Sequence, residues 1–158
     1  KPVDEVYPQN LCGHEITDYL PLLKANAFKD NLHPNDLLIT SDTIVWHCNT
    51  AIGKPNSVKH AIEMLQSLSG STHKVFTSVC LTSTEKQQNF NALTKVSFRK
   101  LKIEEIEFYV NNHKPLDKAG AYGIQDWIGQ VGVEKIEGSY FNVMGFPLNL
   151  VYSHLLEF

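Results

Sequence analysis

Residues 72–101 place the tightest limit on the fold. Two long runs of strand-forming residues, THKVFTSVCLTST and NFNALTKVSFRKL, stand on either side of the polar turn EKQQ. Val, Thr and Phe suit a pleated, half-buried surface, and a polar turn between two such runs predicts a β-hairpin. A hairpin alone is marginal in water, so other elements must cover it. LLITSDTIVWH (37–47) reads as a further strand, after the turn HPND and before the Gly/Pro loop AIGKPNS. SVKHAIEMLQSLSG predicts a helix from a Ser57 cap, with Val58, Ala61, Ile62, Leu65 and Leu68 stacked and Gly70 ending it. KIEEIEFYVNNH predicts a short amphipathic helix with Ile103, Ile106 and Val110 inward. Residues 14–32 carry helical spacing through Leu20, Leu23, Ala27 and Phe28, with Pro21 expected in the first turn and Thr17 as N-cap. WIGQVGVEKIEG reads as a strand, and a C-terminal helix is expected with Pro147 at its first position. Helices and strands intermix, which places the 158 residues in one α/β domain.

Composition narrows the function classes. No apolar run approaches the ~20 residues of a membrane span, so no membrane partner is expected. A net charge of −3 argues against nucleic acid as a partner. The three cysteines, Cys12, Cys48 and Cys80, form no C-x-x-C, and the seven histidines form no H-E-x-x-H or H-x-H, which excludes zinc-ribbon and thioredoxin readings. Free thiols without a framework favour a cytoplasmic location, with Cys80 packed as a small apolar side chain.

The polar residues that stand out fall in three clusters. Asp42 interrupts the β-branched run ITSDTIV, with Thr43 beside it. Aspartate is depleted from strands and costly to bury unpaired, so either the strand ends there in a turn or the protein needs a carboxylate at that point. Lys54 sits in the stiff loop GKP, and Asp117, Lys118, two glycines and Gln125 share DKAGAYGIQ. Singly these have plain readings as a turn cap, a solvated lysine and a glycine turn. Together they are the parts that cleavage of a phosphoanhydride uses. Lysine meets phosphate as a point charge, an acid holds a divalent ion or deprotonates water, and an amide reads a base edge.

The order of the motifs adds a resemblance. VDEVYP, LLKANAF, ITSDTIVW, IGKPNSVKHAIEMLQSLSGSTHKVFTSVCL, TKVSF, DKAGAYGIQ and IEGSYFNVMGFPL together resemble the Maf family of nucleotide pyrophosphatases across essentially the whole chain. The resemblance implies an α/β fold of the Maf/inosine-triphosphate-pyrophosphatase type, a long twisted mixed sheet flanked by helices with a central cleft. It implies hydrolysis of nucleoside triphosphates to monophosphate and pyrophosphate with a divalent metal ion (Mg, Mn or Co). Asp42 matches the family's proton acceptor, and Glu5 an acid serving the metal or the water; these two are the expected metal ligands. Lys24 and Lys54 match lysines tied to phosphate and catalysis, and Asp117 and Lys118 lie in a patterned motif at the substrate. Thr43 and Gln125 match positions tied to substrate choice. The form KAGAYGIQ resembles the branch acting on dTTP, UTP and modified pyrimidine triphosphates, which implies house-cleaning of nucleotide pools. Family members are often homodimers, though nothing in this sequence marks an interface.

Family members also carry, ahead of the Asp-Glu motif, a strand and a loop of the type Ser-x-Ser-Pro-Arg-Arg. The sequence starts at Lys1 without it, and its only arginine is Arg99. The expectation is therefore a piece of a longer chain, with little pyrophosphatase activity in a protein lacking that loop. Two other functions stand beside the leading one: a nucleotide-binding inhibitor of cell division (septum formation) with little catalysis, and action on a purine such as ITP.

Overall fold

The expected hairpin forms the middle of a five-stranded sheet. In the computed structural model, which describes residues 3–158, the strands are Leu38–His47 (β1), Thr50–Ile52 (β2), Thr72–Thr82 (β3), Gln87–Phe98 (β4) and Val133–Glu137 (β5). Lys1 and Pro2, included in the expected domain, lie outside the described residues. The strand order is β2-β1-β3-β4-β5, and every pairing among the described residues is antiparallel. The α/β class holds, but no parallel pair of the expected mixed sheet occurs among these residues. β3 is central because it is apolar or small on both faces and buried almost throughout, so it can be paired on both edges and covered on both sides.

The helices are His14–Asn26 (α1), Val58–Leu68 (α2), Ile103–His113 (α3), Trp127–Gly132 (α4), Tyr140–Val143 (α5) and Leu148–Glu157 (α6). Side-chain alternation sorts them onto the two faces. Ile44 and Phe76 pack with Ile16 and Leu20 of α1. Their neighbours Val45 and Val75 point the other way, into the main core with Leu65 and Leu68 of α2 and Ile106 of α3. Farther along that second face, Val79 and Leu81 meet Val151 of α6. Cys80 is buried as expected, and all three cysteines are free.

Three expectations are corrected. Thr17 is not the N-cap of α1: the helix begins earlier, after Gly13, and the Glu15 carboxylate accepts the Cys12 N–H at 2.8 Å. The Thr17 hydroxyl is buried and donates to His14 O at 3.0 Å. Pro21 lies well inside α1, where its carbonyl accepts the Thr40 hydroxyl at 2.7 Å and pins the helix to β1. The first half of WIGQVGVEKIEG is α4 rather than strand, because six residues are too few for periodicity to decide and Asp126 O accepts from the N–H groups of Gly129 and Gln130. By contrast Ser57 caps α2 by accepting the His60 N–H at 3.1 Å, and the C-terminal helix forms, with Pro147 as its N-cap, one position before the first helical position expected for it.

Arg99 does not reach a ligand cavity. Its guanidinium makes paired bonds to the Glu105 carboxylate at 2.7 and 2.9 Å and donates to Val131 O at 2.7 Å, clamping the end of β4 to α3 and α4. Glu105 also accepts the Lys102 N–H at 2.8 Å, closing the start of α3. The Arg99 hydrogen bonds and the Lys102 amide hold its carboxyl at about 2, below the ordinary 4.5. A depressed carboxyl stabilises the fold above its unfolded pKa and loses that contribution as pH falls from about 4.5 toward 2. Glu105→Gln is expected to cost about 1 kcal/mol at neutral pH and to flatten this part of the stability profile, read by urea unfolding. An unchanged profile would refute the clamp.

Candidate active site

β1 has β2 beside it only over Val45–His47, so its first half is a sheet edge among the described residues. That edge walls a cavity of about 620 Å³, lined in part by all eight residues singled out in the sequence: Glu5, Lys24, Asp42, Thr43, Lys54, Asp117, Lys118 and Gln125. Alternation sends Asp42 to the α1 side of the sheet and Thr43 to the other side. Both nevertheless line the same cavity.

On the α1 side, one ammonium holds two carboxylates. Lys24 Nζ of α1 lies 2.8 Å from Asp42 Oδ1 and 2.8 Å from Glu5 Oε1. Burial works against the lysine's charge, but the two acids outweigh it and its pKa rises above the ordinary value. The acids diverge. Glu5, half exposed, is held below the usual carboxylate range by the Lys24 hydrogen bond. Asp42 is only 13% exposed, and its desolvation raises its pKa despite the pull of Lys24, with the charge of Glu5 adding to the rise. Two carboxyls pushed apart by their surroundings suit different tasks, the higher one being the better proton acceptor. Asp42 Oδ2 and Glu5 Oε2 make no protein hydrogen bond among the described residues.

The opposite wall is built from two loops. Gly120 N–H donates to Gly53 O at 3.1 Å, joining the Lys54 loop to the Lys118 loop. Gly120 has φ +70°, and a Cβ there would meet Val45 Cγ2 at 3.1 Å, so only glycine lets the loop lie this close to β1. Tyr109 of α3 fastens the same loop from behind, donating to Asp126 Oδ2 at 2.7 Å and accepting the Gly123 N–H at 3.1 Å. Lys118 pairs with Asp117 at 3.1 Å, whose carboxyl is held low by that bond. Lys54 has no ion pair, and the Gln125 amide no protein partner, among the described residues. These two groups face the cavity with their hydrogen-bonding capacity unspent.

Thr43 completes the site on the second face. Its hydroxyl lies 2.9 Å from that of Thr77, its register partner on β3. The Thr77 hydroxyl donates to Asn142 O at 3.0 Å, and residues 143–145 of the following turn line the cavity. Tyr109, Thr77 and Asn142 were not singled out from the sequence. Asn142 could have been, as a lone amide inside the apolar stretch YFNVMGF. Thr77 could not, because its place opposite Thr43 depends on strand register. Among the described residues no three His, Cys, Asp or Glu come together as a metal site, and no helix is long and apolar enough to cross a membrane.

Comparison with known proteins follows the same lines. The family model described as "Maf-like protein" matches residues 1–158. A dTTP/UTP pyrophosphatase of Bacteroides fragilis is 54% identical over 155 residues, covering 98% of this chain and 80% of that protein. One from Christiangramia forsetii is 52% identical over 157 residues, 99% of this chain and 80% of its own length. One from Bacteroides thetaiotaomicron is 51% identical over 153 residues, with 97% and 79% covered.

Proposed function

Because the chain belongs to the Maf-like family, we propose that it is a nucleoside triphosphate pyrophosphatase, hydrolysing dTTP and UTP to the monophosphate and pyrophosphate. The observation that carries this reading is Asp42, a largely buried carboxylate bonded to Lys24 and opening on a cavity that also collects Lys54, Lys118 and Gln125. Relatives half identical to this chain bear the dTTP/UTP pyrophosphatase name. The alternative, a nucleotide-binding inhibitor of septum formation, is not favoured, since a sensor has no use for a proton acceptor.

In the reaction, Asp42 Oδ2 takes a proton from the water that attacks the α-phosphorus. The bond from that phosphorus to the oxygen bridging to the β-phosphorus breaks, and pyrophosphate leaves. Lys24 orients Asp42 and favours its ionised form. Lys54 and Lys118 meet the phosphate oxygens as point charges, with Asp117 steadying Lys118. Thr43 and Gln125 read the base edge. A divalent ion fits the donor chemistry: Glu5 and Asp42 are hard oxygen donors brought side by side by Lys24, each with one oxygen free of protein hydrogen bonds among the described residues, and Mg²⁺ commonly takes one or two carboxylates with substrate phosphates and water. Glu5 and Asp42 would hold it, as Mg²⁺, Mn²⁺ or Co²⁺, and when bound it supplies neutralisation of the triphosphate and of the leaving pyrophosphate. The exposed free thiols of Cys12 and Cys48 support a reducing, cytoplasmic setting.

The test, on the full-length protein, is phosphate release, coupled through added inorganic pyrophosphatase, on a panel of dTTP, UTP, CTP, ATP, GTP and ITP. Turnover of dTTP and UTP that EDTA abolishes is the expected result. Preference for a purine, or no turnover of any nucleotide, would reject the assignment.

A further inference from the structure

Thr43 and Thr77 face each other across β1 and β3, with their hydroxyl oxygens 2.9 Å apart. One proton lies between them, and its owner decides what Thr43 shows to the cavity. Thr77 is fully buried, and its hydroxyl meets a second acceptor, Asn142 O, at 3.0 Å. That carbonyl is held in place. Asn142 is itself fully buried, its side-chain amide donating to Thr94 Oγ1 at 2.9 Å and to Val75 O at 3.2 Å. A hydroxyl has one proton to give. If Thr77 gives it to Asn142, Thr43 donates to Thr77 and both contacts are good hydrogen bonds. In the reverse arrangement Thr77 donates to Thr43, and Thr43 is left with Gly145 O at 3.5 Å, the limit of a bond. The first arrangement is the better one. In it the Thr43 proton is directed at Thr77, and lone-pair capacity is left toward the cavity.

We propose that Thr77 is a positioning residue that makes Thr43 a hydrogen-bond acceptor toward the nucleobase. The site then selects a base with a ring N–H at that edge, the imide of uracil or thymine, over cytosine, whose matching nitrogen carries no proton. This rests on the pyrimidine reading above and gives it a physical cause. An imide N–H facing the Thr43 oxygen gains a hydrogen bond, whereas the cytosine nitrogen sets acceptor against acceptor. Gln125 cannot make this distinction alone, because an amide offers a donor or an acceptor as needed.

The experiment measures kcat/KM for UTP, CTP and 3-methyl-UTP with the native protein, Thr77→Val and Thr77→Ser. The native protein is expected to favour UTP over both other nucleotides. Thr77→Val frees the Thr43 proton to face the base, and the UTP:CTP ratio falls about tenfold, the worth of one hydrogen bond. Thr77→Ser keeps the hydroxyl and retains the ratio. A merely structural Thr77 would lower all substrates together with the ratios unchanged, and that result overturns the proposal. Should Thr77→Val not fold, the native protein decides: turnover of 3-methyl-UTP equal to UTP overturns it, because no N–H is then being read. Equal use of UTP and CTP does the same. Failure of the underlying reading is distinct, since the native protein would then ignore UTP and dTTP and take this proposal with it.

Discussion

Asp42→Asn is expected to lower kcat roughly 10²–10⁴-fold, the usual contribution of a positioned general base. The substitution keeps shape and the Lys24 contact at Oδ1 but removes the group that accepts the proton. KM should change less, because Lys54, Lys118 and the base-reading residues remain. The pH profile gives a second reading of the same role. Desolvation raises the Asp42 pKa, and Lys24 holds part of that rise back. Lys24→Met removes the restraining hydrogen bond and charge, so the acid limb of kcat/KM moves to higher pH. Near-native kcat in Asp42→Asn with the divalent ion present would remove Asp42 from the proton-acceptor role.

The second large effect is on stability. His73 of β3 is fully buried, stacked on Phe98 with ring centroids 5.6 Å apart, and its Nε2 lies 2.7 Å from Tyr122 Oη. Its Nδ1 has no partner among the described residues. Burial, with a smaller push from His47, lowers its pKa from 6.5 to about 4. A histidine with a depressed folded pKa takes up its proton more readily when unfolded. Stability is therefore complete above about pH 6.5 and drains away as pH falls toward 4. At pH 4.5 this one group is expected to cost about 2.5 kcal/mol relative to pH 7. His73→Gln, which does not titrate, should lose that much less between the two pH values in urea unfolding. Equal losses in both proteins would show that another group carries the acid sensitivity. Tyr122 lines the cavity, so acid softening here should reach the site as well.

Several of these features were legible in the residues. The hairpin, the Ser57-capped helix and the C-terminal helix declared themselves through periodicity and punctuation over ten or more residues. The start of α1 did not, because Thr17 and Pro21 mimic a capped helix start while the actual start is made by Gly13 and the Glu15 carboxylate. Six residues of α4 were read as strand because a segment that short has no decisive period. All eight expected site residues line one cavity, yet their partners were hidden. That Lys24 joins Glu5 to Asp42 depends on where α1 crosses the sheet edge.

The sequence by itself determined the local elements, the α/β class and the set of acids, lysines and amides available for chemistry, because spacing and side-chain type act over short range. Tertiary structure alone decided that Asp42 and Thr43, pointing to opposite sides of one strand, share a cavity. That outcome depends on the elements closing around β1, with Glu5 and Lys24 on one side and the Lys54 and Lys118 loops and residues 143–145 on the other. Tertiary structure also decided the proton of Thr43. Its direction depends on Thr77 and Asn142, brought to it by strand register and by a turn a hundred residues away along the chain.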